Sequence, residues 1–211
     1  MIETIAYGSC YVYSPKGTGA VCERSRILLA LLKAGDAGLM IKYARRVRQQ
    51  AEDSPALAGF FVAGAVLVPV PGSAPGGAWA AERLTAALLE AGIGRAAWSG
   101  LRRLRAVRKS ATAAPGCRPT VSSHYDSFGV DRPCGATEET APDTIVLIDD
   151  VVTKGRTLLA AANRVHEAFP HSNIRAFALL RTMGLTATVR RILDPCTGEI
   201  RWRSGDAHRS P

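Results

Sequence analysis

Thr144-Ile145-Val146-Leu147-Ile148-Asp149-Asp150-Val151-Val152-Thr153-Lys154-Gly155-Arg156-Thr157 is the stretch on which the fold turns. Residues 145–148 form an unbroken apolar run. A strand with no polar alternation belongs in a parallel sheet covered on both faces. Ligands of such sheets bind beyond the carboxyl ends of the strands, where Asp149 and Asp150 fall. The small residues that follow make a loop opening a helix over about 155–169, closed by Pro170. A loop of that kind offers backbone N–H groups and a helix N-terminus to an anion, most often phosphate. Carboxylates accept hydrogen bonds from hydroxyls. Together the two features describe a receptor for a sugar phosphate. The competing reading is a capping acid and a plain turn. One capping acid is ordinary, but two consecutive acids with both threonines and the glycine are not.

The rest of the chain supplies the frame. An apolar strand over 65–68 runs into Val68-Pro69-Val70-Pro71-Gly72-Ser73, a turn-rich loop, and then an amphipathic helix over about 78–91 closed by Gly92. Helical spacing also marks 23–33 and 39–50. A short strand begins near 95–98, and Ile174 to Leu180 reads as the last core strand. Residues 109–142 predict loops with a small hairpin. Residues 1–21 predict a short strand or hairpin, and the polar tail 204–211 predicts a loose end. Strand–helix alternation implies an α/β fold with a mostly parallel sheet.

Composition narrows the classes. The chain has 211 residues, is 47% hydrophobic and carries a net charge of +9. That fits one domain with a substantial core. No apolar run reaches the ~18 residues of a membrane span. The N-terminus has no basic-then-apolar leader pattern. Five cysteines without a C-x-x-C pair argue against a zinc ribbon or a disulfide framework, and for the cytoplasm. The basic balance, mostly arginine, suits an anionic small substrate, nucleic acid or an acidic partner. A P-loop NTPase motif, a dinucleotide fingerprint and a helix-turn-helix or finger are all missing from the sequence.

The segment 144–157 resembles the phosphoribosyl-pyrophosphate (PRPP) signature of type I phosphoribosyltransferases: a hydrophobic strand, two acids, two small apolar residues and a Thr-x-Gly-x-Thr turn. The resemblance implies a type I phosphoribosyltransferase-like α/β fold, with a mostly parallel central sheet flanked by helices and a small hood drawn from 1–60 and part of 185–203. It implies that Asp149 and Asp150 hold the ribose hydroxyls, and that Thr153, Lys154, Gly155, Arg156 and Thr157 wrap the 5′-phosphate; by position, Asp149 or Asp150 is also the candidate for handling the proton. Val70, Pro71, Gly72 and Ser73 stand where the family's pyrophosphate loop lies. Lys109 and Ser110, with Arg105, Arg108 and the segment 118–125, suit its basic loop. Mg²⁺ is the implied cofactor, with PRPP or a nucleoside monophosphate as ligand. A homodimer is compatible with the reading, and nucleic acid is a less favoured partner. The Val68-Pro69-Val70-Pro71 segment also resembles ComF-type proteins. Their arginine-rich stretch after this loop, their R-G-F-N-Q motif and their N-terminal four-cysteine zinc site are missing here. Two functions stay open: a PRPP-dependent transferase, and a catalytically weak PRPP- or nucleotide-binding regulatory module. Of single residues outside these motifs, His124 is a candidate general base, though a histidine beside Tyr and Ser is more often structural.

Overall fold

The computed structural model describes residues 1–76, 79–108, 118–132 and 141–211. Its main sheet has seven strands, all drawn from those residues. They are β1 (Thr4–Tyr13), β2 (Val66–Pro69), β3 (Ala96–Ala97), β6 (Thr144–Val152), β7 (Asn173–Thr182), β8 (Leu193–Arg203) and β9 (Asp206–Ser210). Their spatial order is β3-β2-β6-β7-β1-β8-β9. The first five are mutually parallel, while β8 runs antiparallel to β1 and β9 antiparallel to β8. β4 (Leu101–Arg103) and β5 (Phe128–Val130) form a separate two-stranded sheet. The result is a mixed α/β fold with a mostly parallel central sheet.

Strand alternation sorts the core into two layers. Ile145 and Leu147 of β6 pack with Ala176 and Ala178 of β7, beneath Leu158, Leu159, Ala162 and Val165 of α5 (Arg156–Ala168). Val146 and Ile148 point the other way. They meet Phe177 and Leu179, under α1 (Ala20–Ala34), α2 (Ala37–Asp53) and α3 (Ala80–Glu90). The long apolar run of β6 is explained by this double cover, since Ile145 through Ile148 are all fully buried. Helix ends follow local chemistry. Asp36 caps α2 through Leu39 N at 2.7 Å, and Gly35 closes α1 in the left-handed region at φ 78°.

Three expectations change. Residues 4–13 form a ten-residue core strand, not a short hairpin, because nearly the whole of β1 is buried between β7 and β8. β1 and β8, from the stretches expected in the hood, thus belong to the main sheet. The tail 204–211, expected loose, holds β9, whose ladder with β8 runs from Glu199↔Ser210 to Arg203↔Asp206. Gly205 at φ 79° and Ser204 at φ 51° supply the tight reversal between the two strands.

Candidate functional site

Because β2 and β6 are parallel neighbours, their following loops emerge side by side. Val70 N donates to Ile148 O at 2.8 Å, one residue before Asp149. The loop after β2 and the acids of β6 therefore converge at the carboxyl end of the sheet. Val70 and Pro71 are buried, and Gly72 and Ser73 are half-buried. A Cβ on Gly72 would stand 2.5 Å from the Trp79 indole, so only glycine fits beneath that ring. Arg103, which is 4% exposed, fixes the same loop from below. Its Nε donates to Gly72 O at 2.8 Å, its Nη2 to Pro71 O at 3.3 Å and its Nη1 to Ser127 Oγ at 2.5 Å. Its guanidinium lies 3.8 Å from the centre of the Phe128 ring. Burial lowers Arg103 to about 10, against the upward pull of Asp149.

Asp149 and Asp150 are both partly buried. Each accepts from the next backbone amide, Asp149 Oδ1 from Asp150 N and Asp150 Oδ1 from Val151 N, both at 2.9 Å. Burial of the carboxyl, then the neighbouring Asp150 charge, raises the Asp149 pKa well above the usual carboxylate range. The Asp150 charge beside it thus favours the protonated form of Asp149. Lys33 of α1 offers Asp150 its ammonium at 3.8 Å.

The turn after β6 is a cradle. Gly155 takes φ 88° and caps α5. A Cβ there would meet Ile200 of β8 at 2.6 Å, so both conformation and packing require glycine. Among the described residues, no backbone N–H from Thr153 to Thr157 donates to a protein acceptor. Free amides at the positive end of the α5 dipole can seat an anion. The two charged side chains of the turn leave it. Arg156 pairs bidentately with Asp206, Nε to Oδ1 at 2.5 Å and Nη2 to Oδ2 at 2.7 Å, and Lys154 Nζ reaches Oδ2 at 3.0 Å. Thr157 Oγ1 lies 3.4 Å from His124 Nε2. His124, on α4 (Val121–Tyr125), is 4% exposed, and among the described residues its Nδ1 has no partner. Burial, then Arg103 and Arg156, lowers it to about 4, so it is neutral at pH 7. That environment makes it an acceptor or donor for Thr157 rather than a cation.

Beside the seat lies a cleft of about 470 Å³ lined by Arg105, Arg108, Arg118, Ser123 and Asp126. Two bonds tie it to the centre: Val107 N to Ser73 O at 2.8 Å and Arg156 Nη1 to Pro119 O at 3.1 Å. Lys109 and Ser110 lie outside the described residues. The structure thus brings Val70–Ser73, Asp149, Asp150 and Thr153–Thr157 to one end of the sheet. Sequence reading passed over Lys33, Trp79, Arg103, Asp206 and Arg209. The arginine run 102–108 was visible only as charge, and nothing in it marked Arg103 as the buried member.

No His, Cys, Asp or Glu cluster of three or more among the described residues could hold a metal ion. Mg²⁺ needs fewer, because it commonly takes one or two carboxylates and completes its octahedron with substrate phosphates and water. Asp149 and Asp150 fit that donor set.

No protein-family model matches the chain, and no curated protein matches it. Among solved structures, the chain is similar to a hypoxanthine phosphoribosyltransferase from Staphylococcus aureus, with 9% identity, 72% of this chain and 68% of that chain covered, and a TM-score of 0.33.

Proposed function

We propose that this end of the sheet binds a pentose 5-phosphate, and that the chain is a PRPP-dependent phosphoribosyltransferase with a type I phosphoribosyltransferase-like core. The carrying observation is the Asp149–Asp150 pair set directly before the start of α5, where the amides of Thr153 to Thr157 have no protein acceptor among the described residues. A vicinal diol supplies two O–H donors for the carboxylates, and a phosphate monoester supplies acceptors for the amides. A nucleoside monophosphate carries the same two groups.

In the transfer, the bond from the anomeric carbon to pyrophosphate breaks as a bond to the acceptor nitrogen forms. The pyrophosphate leaves with the electron pair, and the acceptor gives up a proton. Positive charge on the sugar develops beside the Asp149–Asp150 pair, whose carboxylates stabilise it. The raised Asp149 pKa suits it to receive the proton. In this reading the Val70–Ser73 loop, braced by Arg103, takes the anomeric end, and Arg105, Arg108 and Arg118 of the neighbouring cleft meet the charge of the leaving group. Mg²⁺ bound through Asp149 or Asp150 and the ligand oxygens would supply charge neutralisation at pyrophosphate. Cys10, Cys22 and Cys196 are free thiols, which supports a cytoplasmic setting. No helix among the described residues is long and apolar enough to cross a membrane.

One observation favours a binding module instead. The first arginine after the Val70–Ser73 loop is Arg83, and its guanidinium lies against Gly35 at the end of α1, away from the loop. The test is a thermal shift with PRPP, with and without Mg²⁺, joined to pyrophosphate release across a panel of nucleobases. Stabilisation with release supports the transferase, and stabilisation without release supports the module. No stabilisation by millimolar PRPP, or full stabilisation of Asp149→Asn/Asp150→Asn, overturns both.

A further inference from the structure

The seat at 153–157 is shaped from behind. Three of its anchors among the described residues, Asp206, Ile200 and Arg209, come from the β8–β9 hairpin, about fifty residues away in the chain, and Pro119 O also accepts Arg156 Nη1. Lys154 and Arg156 flank the left-handed Gly155, and both turn to the single carboxylate of Asp206. That carboxylate also accepts Ala207 N at 2.8 Å. Ile200 fills the space beneath Gly155. Arg209 closes the third side, with Nε to Thr153 O at 2.8 Å, Nη2 to Thr182 O at 2.6 Å and Nη1 to Tyr7 Oη at 2.7 Å. The carbonyl of Thr153 and both charged side chains thus face the hairpin.

We propose that the β8–β9 hairpin is the platform that preorganises the phosphate seat, with Asp206 and Arg209 as positioning residues for an anion they do not touch. The proposal rests on the sugar-phosphate reading above. Its logic is that a loop fixed before binding loses less conformational freedom when the ligand arrives. Asp206 neutralises the two cations that would otherwise swing over the seat, which leaves the amides and the helix dipole to select a phosphate. Its own carboxyl is held well below the usual range, first by the Arg156 bonds, so it stays ionised. The opposite role is also chemically open: Asp206 could act as a resident anion competing with phosphate for Lys154 and Arg156. The two roles predict opposite signs.

The experiment measures ribose 5-phosphate affinity by calorimetry, and backbone 15N order parameters over 153–158, in wild type, Asp206→Asn, Asp206→Glu and Arg209→Lys. The platform predicts affinity about tenfold weaker in Asp206→Asn, the size of change that goes with one lost charged hydrogen bond. It also predicts largely restored affinity in Asp206→Glu, and lower order parameters confined to the loop in Asp206→Asn and Arg209→Lys. Unchanged or tighter binding in Asp206→Asn overturns it, as do unchanged order parameters. Should Asp206→Asn fail to fold, Arg209→Lys decides by the same two readouts. If wild type binds no ribose 5-phosphate, the sugar-phosphate reading falls, and the loop order parameters still decide whether the hairpin holds the turn.

Discussion

Burying Asp149 beside Asp150 destabilises the folded chain. A carboxyl whose folded pKa is raised favours the unfolded state at every pH above its ordinary value near 4. Asp149→Asn removes that penalty. Its melting temperature at pH 7 is expected to rise by about 2–4 °C, the shift that goes with ~1 kcal/mol in a chain of this size. The gap to wild type should close as pH falls toward 4, and calorimetry at several pH values checks it. His124 bears on stability from the acid side. Its folded pKa, about 4, lies below the ordinary 6.5, so the unfolded chain binds the proton first. Its contribution to stability is complete above about pH 6.5 and is lost as pH falls toward 4, with a slope of at most about 1.4 kcal/mol per pH unit. Denaturant titrations of wild type and His124→Gln should diverge across that window and run parallel above it. The same burial makes His124 a weak base at pH 7.

The turn from β6 into α5 was the most legible element of the sequence. Its apolar strand, paired acids and Thr-x-Gly-x-Thr spacing each impose a local geometry, and the local geometry is the site. Gly155→Ala should lower stability by about 1–3 kcal/mol, since a non-glycine residue at φ 88° is strained and its Cβ meets Ile200. Denaturant unfolding reads the loss. Adding Ile200→Ala should recover only part of it, because the backbone strain stays. The hairpin β8–β9 was the least legible element. Leu193-Asp194-Pro195-Cys196-Thr197-Gly198 mixes an acid, proline and glycine, and gives no alternation over most of its length. Such a strand exists through its partner: β1 supplies the ladder, and only Ile200 and Ala207 bury fully. β1 is hard to read for the opposite reason. Gly8 and Ser9 look like turn residues, yet a Cβ on Gly8 would stand 3.1 Å from Leu57 and 3.2 Å from Phe60, and Ser9 bonds within the core.

Across the molecule, periodicity announced a parallel sheet with helices on both faces, because that arrangement is written in burial. Which loops meet at the sheet's end depends on strand order, and order is not a local property. The convergence of Val70–Ser73 with Asp149 and Asp150 follows from β2 lying beside β6, and the grip of Asp206 follows from β9 lying at the far edge. The net charge of +9 becomes specific in the same way, since Arg105, Arg108 and Arg118 gather on one cleft beside the seat. Binding of a multiply charged PRPP should therefore weaken several-fold between about 0.02 and 0.2 M salt, as screening lengths shorten. Arg118→Gln should flatten that dependence in a fluorescence titration. The central claim is that a pentose 5-phosphate docks across the two acids and the turn behind them. Its most direct test is a crystal structure of the chain grown with PRPP and Mg²⁺. The account predicts phosphate oxygens about 2.7–3.2 Å from the amides of residues 153–157, with the ribose hydroxyls on Asp149 and Asp150. A sugar phosphate bound with its diol away from both acids, or its phosphate seated elsewhere, would contradict it.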